Sequence, residues 1–388
     1  MAHPRIPGVG LTHFGRHPER TSRELFAEAG VAALEDAGIE RGAIDAVFYG
    51  NFMGELAEHQ GHTGPLAAEA LGLDVPATRY ESACASSGAA LRNAIRAIEA
   101  GDHDVILVGG AERMTNVSTA RATEALAIAA DALWEVEAGM TFPGAYALMA
   151  DAYLDEYEGE HRDLAHIAVK NHANALDNEH AQYQREITVE DVLESPPVAD
   201  PLTLYDACPI TDGASAVILT SASYAADQGL DDRVAVTGSG QGGDNMALAD
   251  RVAPHRTPAA ARAAESAYEE AGITAADIEV AEVHDCFTIA EVLAIESLGL
   301  FPEGEGIGAA RRGETTRDGR IPVNLSGGLK AKGHPVGATG TSQIAELVDL
   351  LRGSHHNADA VSDPEVAVAH NAGGTVASAV VHVLEVDP

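Results

Sequence analysis

ALEDAGIERGAIDAVFYGN, residues 33–51, and AYEEAGITAADIEVAEVHD, residues 267–285, are two copies of one passage, 234 positions apart. Ala37, Gly38, Ile39 and Ile44 of the first meet Ala271, Gly272, Ile273 and Ile278 of the second. In each copy apolar residues recur at helical spacing up to an Ala-Gly step. Glycine suits a helix C-terminus because it takes the left-handed backbone conformation without a Cβ clash. A short turn follows, then an apolar run of strand length. The period is far too long for a solenoid. Two α/β halves of like construction, each supplying part of one site, are the expectation.

Working outward, each half holds a strand-like run ending in glycines, DVILVGG (104–110) and EVAVAHNAGG (365–374). Residues 116–205 differ. They are helical in pattern, include AHIAVKNHANA (165–175), and turn at Pro196–Pro197. This stretch reads as an insertion covering the site. GASAVILTS (213–221) reads as a strand returning to the first half. The expected division is therefore 1–115, completed by 206–228, for the first half, 116–205 for the insertion, and 229–388 for the second half. A chain of 388 residues also suits two or three domains at about 150 residues each.

Composition excludes several classes. The net charge of −36 opposes nucleic-acid binding, which needs cations against phosphates. No segment approaches the ~18 apolar residues of a membrane span. MAHPRIPGVG lacks a basic region followed by an apolar run, so a cytoplasmic location is expected. Only Lys170, Lys330 and Lys332 are lysines, so arginine supplies the rest of the 24 basic residues. Acidic residues are spread among apolar ones, which suggests a high-salt cytoplasm where screening tolerates self-repulsion. Cys84, Cys208 and Cys286 are odd in number and far apart, so they are read as free thiols.

Four segments carry chemistry. In ESACASSGAALRNAIRAIEAGD (81–102), Cys84 lies at the start of a helix. There the dipole and free N–H groups are expected to lower a thiol pKa. In NLSGGLKAKGHPVGATG (324–340), glycines flank His334, a side chain suited to take a thiol proton. In EVHDCFTIAE (282–291), an apolar strand runs into His284, Asp285 and Cys286, where α/β sites collect. In AHNAGGT (369–375), a strand runs into a glycine turn whose N–H groups can hold an oxyanion.

Together these segments resemble the thiolase superfamily over nearly the whole chain, including KNHANA and CPITDGASAV (208–217). HDCF in place of the commoner NEAF is similar to a subgroup containing sterol-carrier-protein-linked thiolases and archaeal acetyl-CoA acetyltransferases. The resemblance implies the thiolase fold, two α/β halves in a five-layered αβαβα arrangement with a mainly helical inserted domain. It implies condensation of two acetyl-CoA to acetoacetyl-CoA and CoA through an acyl–cysteine. Cys84 would be the nucleophile, and His334 would activate it and, with His284, help bind the thioester oxygen in an oxyanion hole. His284 would replace the usual asparagine of one oxyanion hole. The N–H groups of Cys84 and Gly373 would form the other. Most thiolases carry an acid/base cysteine where Asn371 stands here; Cys286 is the substitute the subgroup implies. Ser326, Gly327 and Lys332 are expected at CoA. No cofactor is expected, since CoA thioesters are substrates. A homodimer is implied, with a small OB-fold protein and 3-hydroxy-3-methylglutaryl-CoA synthase as further partners.

Cys208 is expected in the core. GSGQGG (238–243) matches GxGxxG but lacks the following helix and acidic strand end, so a glycine turn near the CoA entrance is expected instead of a dinucleotide site. Lys330 and Lys332 are read as meeting a CoA phosphate or solvating a loop. The close pairs His59/His62 and His355/His356 are read as solvated, not metal-binding. Three rival functions fit parts of the pattern. A decarboxylating ketoacyl synthase would share Cys84, His284 and His334 but would have no use for Cys286. A degradative thiolase would cleave longer 3-ketoacyl-CoA chains with the same residues. A scaffold subunit would bind acyl-CoA without catalysis.

Overall fold

The computed structural model describes residues 3–386. The first half contributes β1 (Arg5–Leu11), α1 (Ser22–Ala37), β2 (Ala46–Gly50), α2 (Thr63–Ala70), β3 (Ala77–Tyr80), α3 (Ser86–Ala100) and β4 (Val105–Glu112). Helices α4 (Phe142–Glu156) and α5 (His161–Asn174) follow, and β5 (Gly213–Thr220) returns to the sheet. The second half contributes β6 (Val234–Gly243), α6 (Pro258–Ala271), β7 (Val280–Glu282), α7 (Thr288–Ser297), α8 (Thr339–Arg352), β8 (Val366–Gly373) and β9 (Ser378–Val386).

The repeat read in the sequence is a repeat of topology. In the first half β2 pairs parallel with β3 and β4, and β4–β5–β1 continue antiparallel. In the second half β7 pairs parallel with β8 and, through Ala281, with Val323, while β8–β9–β6 continue antiparallel. The halves join edge to edge where Arg5 faces Ala235. The nine strands therefore run in the order β3-β2-β4-β5-β1-β6-β9-β8-β7. Helices α3 and α8 lie between the two halves. Leu91, Ile95 and Ile98 of one and Ile344, Leu347 and Leu351 of the other share a core with Ile106, Val108, Ala367 and Ala369. Helices α1 and α2 cover the outer face of the first half, and α6 and α7 that of the second. Five layers result.

The Ala-Gly steps end helices as read. Gly38 and Gly272 take φ of 68° and 76° and close α1 and α6. The GSGQGG segment, however, is not a turn. It is the second part of β6, and its alternate glycines lie against α6. A Cβ on Gly238 would stand 2.1 Å from Ala267 O, and one on Gly240 1.9 Å from Ala263 O. Gly8 and Gly10 of β1 meet Ala33 O and Ala29 O of α1 in the same way, at 2.3 and 2.1 Å. Strand and helix backbones touch directly, so only glycine fits the strand and alanine suits the helix face.

Candidate active site

Three residues separate Tyr80, the last of β3, from Cys84. The turn between them is tight. Ala83 adopts φ 49°, a left-handed conformation that costs a non-glycine residue about 1–3 kcal/mol. Hydrogen bonds hold it there: Ala85 N to Ser82 O at 2.9 Å, Ser82 N to Ser86 Oγ at 3.1 Å, and Ala83 N to Glu81 Oε1 at 2.7 Å. Cys84 thus stands just outside the first turn of α3, half-buried, in the wall of a cavity of about 470 Å³.

His334 and His284 come to this sulfur from the second half. One side-chain atom from each of Cys84, His284 and His334 lies within 4.8 Å of the other two. The imidazole rings stand 4.9 Å apart at 84°. Glu112, at the end of β4, joins the halves here. Its buried carboxylate accepts from Met53 N at 2.8 Å, Phe52 N at 3.0 Å and Asn51 Nδ2 at 2.7 Å, and from Gly337 N at 2.8 Å. That last bond ties the glycine-rich loop of His334 to the first half. His334 Nδ1 bonds the Thr339 hydroxyl at 2.7 Å. Burial pushes His334 down to about 3, so its ring is neutral. Burial, with His334 and His370 beside it, holds His284 well below 6.5 as well.

The expected depression of the Cys84 pKa is not what the site provides. Burial pushes this thiol up to about 12, and Cys208 adds to the rise. Hydrogen bonds from the N–H groups of Gly374 and Cys84 oppose the shift without reversing it, and Glu112 works against them. The resting site therefore pairs a neutral thiol with a neutral imidazole.

Cys286 is buried, at the start of the segment leading into α7, and lines the same cavity as Cys84. Burial pushes it well above 9.0, and its thiol meets the Tyr146 hydroxyl. That hydroxyl donates to Gly374 O at 3.0 Å, and its ring stacks on Phe287 at 4.6 Å. Tyr146 lies in the inserted stretch, so α4 closes the cavity over both cysteines. Cys208, expected in the core, is instead half-buried in the cavity wall, its N–H bonded to Cys286 O at 2.9 Å.

Other expectations are corrected. Gly374, not Gly373, sends its N–H to the Cys84 sulfur and lines the cavity. Gly373 ends β8 and does not line this cavity, and a Cβ there would meet Ser82 O at 2.5 Å. Ser326, Gly327 and Lys332 do not reach the cavity. Ser326 Oγ donates to Glu282 Oε2 at 2.7 Å, and Gly327 packs against Ala175. Lys332 is 1% exposed and pairs with Glu346 at 3.2 Å. Lys330 is likewise buried, beside Asp206, Asp285 and Cys208, so neither lysine solvates a loop. The pair His355/His356 is not solvated either, since His355 is buried against Glu346 at 3.0 Å.

A buried polar network positions the HDCF segment. Asp285 accepts from Leu329 N and from Asn171 Nδ2, each at 2.7 Å. Asn171 also donates to Glu291 Oε2 at 2.9 Å, and Lys170 pairs with Glu291 at 2.9 Å. KNHANA thus anchors the insertion to the strand end that carries His284 and Cys286. Glu112, Asn171, Thr339, Tyr146, Asn371 and Gly374 are site residues whose part the sequence alone does not reveal. KNHANA and CPITDGASAV are the sequence signals that point toward this region.

Three thiols, Cys84, Cys208 and Cys286, and the His334 imidazole line one cavity, with the His284 ring beside Cys84 and His334. Residues 8–223 match the family described as thiolase, N-terminal domain, and residues 240–386 match thiolase C-terminal domain-like. An acetyl-CoA acetyltransferase of Methanothermobacter thermautotrophicus is 45% identical over 97% of this chain and 98% of its own. One of Methanocaldococcus jannaschii is 41% identical over 98% of each chain. Among solved structures, the Ltp2-ChsH2(DUF35) aldolase superposes with a TM-score of 0.82 at 25% identity, covering 99% of this chain and 98% of the other.

Proposed function

Because the chain belongs to the thiolase family and is an acyltransferase, we propose that it condenses two acetyl-CoA molecules to acetoacetyl-CoA, reversibly, through acetyl–Cys84. The observation that carries this reading is the convergence of Cys84, His284 and His334 within 4.8 Å beside a cavity that also exposes Cys286. The 45% identity to an acetyl-CoA acetyltransferase over nearly the full length supports the choice of acyl group.

In this mechanism the ring nitrogen of His334 takes the Cys84 proton as the sulfur attacks the thioester carbon. The oxyanion meets the His284 imidazole. CoA leaves as the tetrahedral adduct collapses, taking the proton of the Cys286 thiol. The Cys286 thiolate then removes a methyl proton from the second acetyl-CoA. Its high intrinsic pKa makes it a strong base once formed. The enolate attacks acetyl–Cys84, whose sulfur leaves and regains its proton from His334. Every group returns to its resting state.

A decarboxylating synthase would need no such base, so Cys286 favours the non-decarboxylating reaction. The cavity wall of Val117, Leu126, Phe142 and Ile210 favours one second reading, cleavage of longer 3-ketoacyl-CoA chains. Rates across a chain-length series decide between them. Radiolabelled acetyl-CoA tests the common core: label on Cys84 in the wild type and none in Cys84→Ala. Cys286→Ser should still acetylate Cys84, because CoA can leave as a thiolate, yet fail to condense. Loss of acetylation in that variant would assign the base elsewhere.

The proposal extends to assembly. The structural neighbour's name, Ltp2-ChsH2(DUF35) aldolase, joins two components. By analogy this chain takes a small partner subunit as well as forming a homodimer, and 3-hydroxy-3-methylglutaryl-CoA synthase would consume its product. Affinity purification from the native cell at high salt tests the partners. Among the described residues no helix is long and apolar enough to cross a membrane.

A further inference from the structure

Asn371 stands at the position where the resemblance leads one to expect a cysteine, and its amide is held by hydrogen bonds at the nitrogen end, while its buried oxygen has no hydrogen-bond partner among the described residues. Its Nδ2 donates to Cys84 O at 3.0 Å and to His284 Nδ1 at 3.2 Å. A backbone carbonyl only accepts, so the NH₂ end must face this way. The oxygen end lies in the crossing of α3 and α8. A Cβ on Gly88 would stand 2.7 Å from Asn371 Oδ1, and one on Gly340 2.5 Å. Both glycines belong to first helical turns, where exposed N–H dipoles favour an oxygen. A flipped amide would set its oxygen against Cys84 O and its hydrogens against two positive helix ends.

The consequence falls on His284. An imidazole nitrogen that accepts from an amide carries the lone pair, so the one proton of the neutral ring sits on Nε2. Nε2 is buried and has no protein partner among the described residues. His334 is set the other way. The Thr339 hydroxyl donates its only proton to Pro335 O at 3.0 Å, so it accepts from His334 Nδ1 at 2.7 Å. His334 is left with its Nε2 lone pair. Two imidazoles beside one sulfur are therefore held in opposite tautomers.

We propose that Asn371 is a positioning residue that fixes the His284 tautomer, making His284 a hydrogen-bond donor to the developing oxyanion and neither a base nor a metal ligand. The use of that donor rests on the reaction proposed above; the tautomer does not. The same device sets this Cys-His-His cluster against metal binding. A metal needs a lone pair from each residue, and this tautomer leaves the His284 lone pair on Nδ1, where Asn371 already donates.

Two experiments test this. Long-range proton–nitrogen correlation on the wild-type protein with ¹⁵N-labelled histidine should show His284 protonated at Nε2 and His334 at Nδ1. A His284 proton on Nδ1 overturns the proposal, and this readout needs no variant and no activity. The second compares Asn371→Asp with Asn371→Ala in single-turnover acetylation of Cys84. Aspartate keeps the shape but accepts from Nδ1–H, which forces the wrong tautomer, whereas alanine leaves the ring free to choose. The near-isostere should therefore be the slower variant, with a rate about 10²–10³-fold below wild type and little change in KM. It should also become sensitive to Zn²⁺ at concentrations at least about tenfold lower. A packing role alone predicts the opposite order, and alanine slower than aspartate would overturn the assignment. Failure of the wild type to acetylate Cys84 would instead sink the reaction and leave the tautomer result standing.

Discussion

At Cys84 two effects oppose each other. The helix end and two N–H groups favour the thiolate, but removal from water disfavours it more, and the thiol rises to about 12. His334 falls to about 3 for the same reason. Neither partner titrates near neutrality, so acetylation of Cys84 should be nearly flat from pH 6 to 9. Alkylation by iodoacetamide reads free thiolate and behaves differently. Its rate at Cys84 should still climb about tenfold per pH unit beyond 9.0, the ordinary thiol value. A plateau near pH 7, followed by mass spectrometry of the Cys84 peptide, would mean a preformed thiolate. Lys332 offers a second contrast at this scale. As a partner of Glu346 in the interior, its replacement in Lys332→Met should cost about 3–5 kcal/mol of stability. A CoA contact would instead raise KM and leave the urea midpoint unchanged. The motif residues Cys84, His284, Cys286 and His334 were legible because each sits beside glycines or at a strand end in its own segment. Asn371 was not, because its meaning depends on Cys84, 287 positions away. The lysines misled because a lysine is ordinarily exposed, and only the packing reveals a buried carboxylate beside it.

At the scale of elements, the helix ends could be read because their cause is local: glycine at the stop and apolar spacing before it. Strand β6 could not, because its glycines serve a contact with α6. Periodic glycines at 238, 240 and 242 against alanines at 259, 263 and 267 carry the signal, and it lies in two segments at once. The close approach makes a specific prediction. Gly240→Ala places a methyl 1.9 Å from Ala263 O, so α6 must move off the sheet. Such overpacking should lower stability by about 1–3 kcal/mol, measured as a shifted urea midpoint at fixed salt. Gly229→Ala would be the wrong control, since φ there is 66°. Gly42→Ala is the right one. Nothing lies within 4 Å of its Cβ position and its φ is not positive, so its midpoint should stay put. Equal midpoints for the two variants would mean that the strand and helix do not rely on backbone contact.

Over the whole molecule, charge decides the behaviour. The acidic excess of −36 was legible from composition, but where the few lysines go was not. All three are buried: Lys170, Lys330 and Lys332. The exposed cations of the described surface are therefore arginines and histidines, and many of those arginines already pair with carboxylates. Unscreened, the remaining acids repel one another and destabilise the compact state. This fits the proposal that the protein works in a high-salt interior. Raising KCl from 0.1 to 1 M shortens the Debye length from about 10 to about 3 Å, and the melting temperature should climb with it. Buried pairs respond to pH instead. Burial pushes Glu346 up, but Lys332 and the hydrogen bond from His355 outweigh it and hold the carboxyl well below 4.5. A folded pKa depressed in this way stabilises above the unfolded value and is lost as pH falls through and below 4.5. Screening by salt scarcely reaches such an interior pair. At 2 M KCl, where surface repulsion is suppressed, Glu346→Gln should therefore flatten the remaining loss of stability between pH 5 and 3. The wild type and variant should show the same salt dependence at pH 7. A melting temperature indifferent to KCl would overturn the high-salt reading, and an unchanged acid slope in Glu346→Gln would place the acid-sensitive group elsewhere.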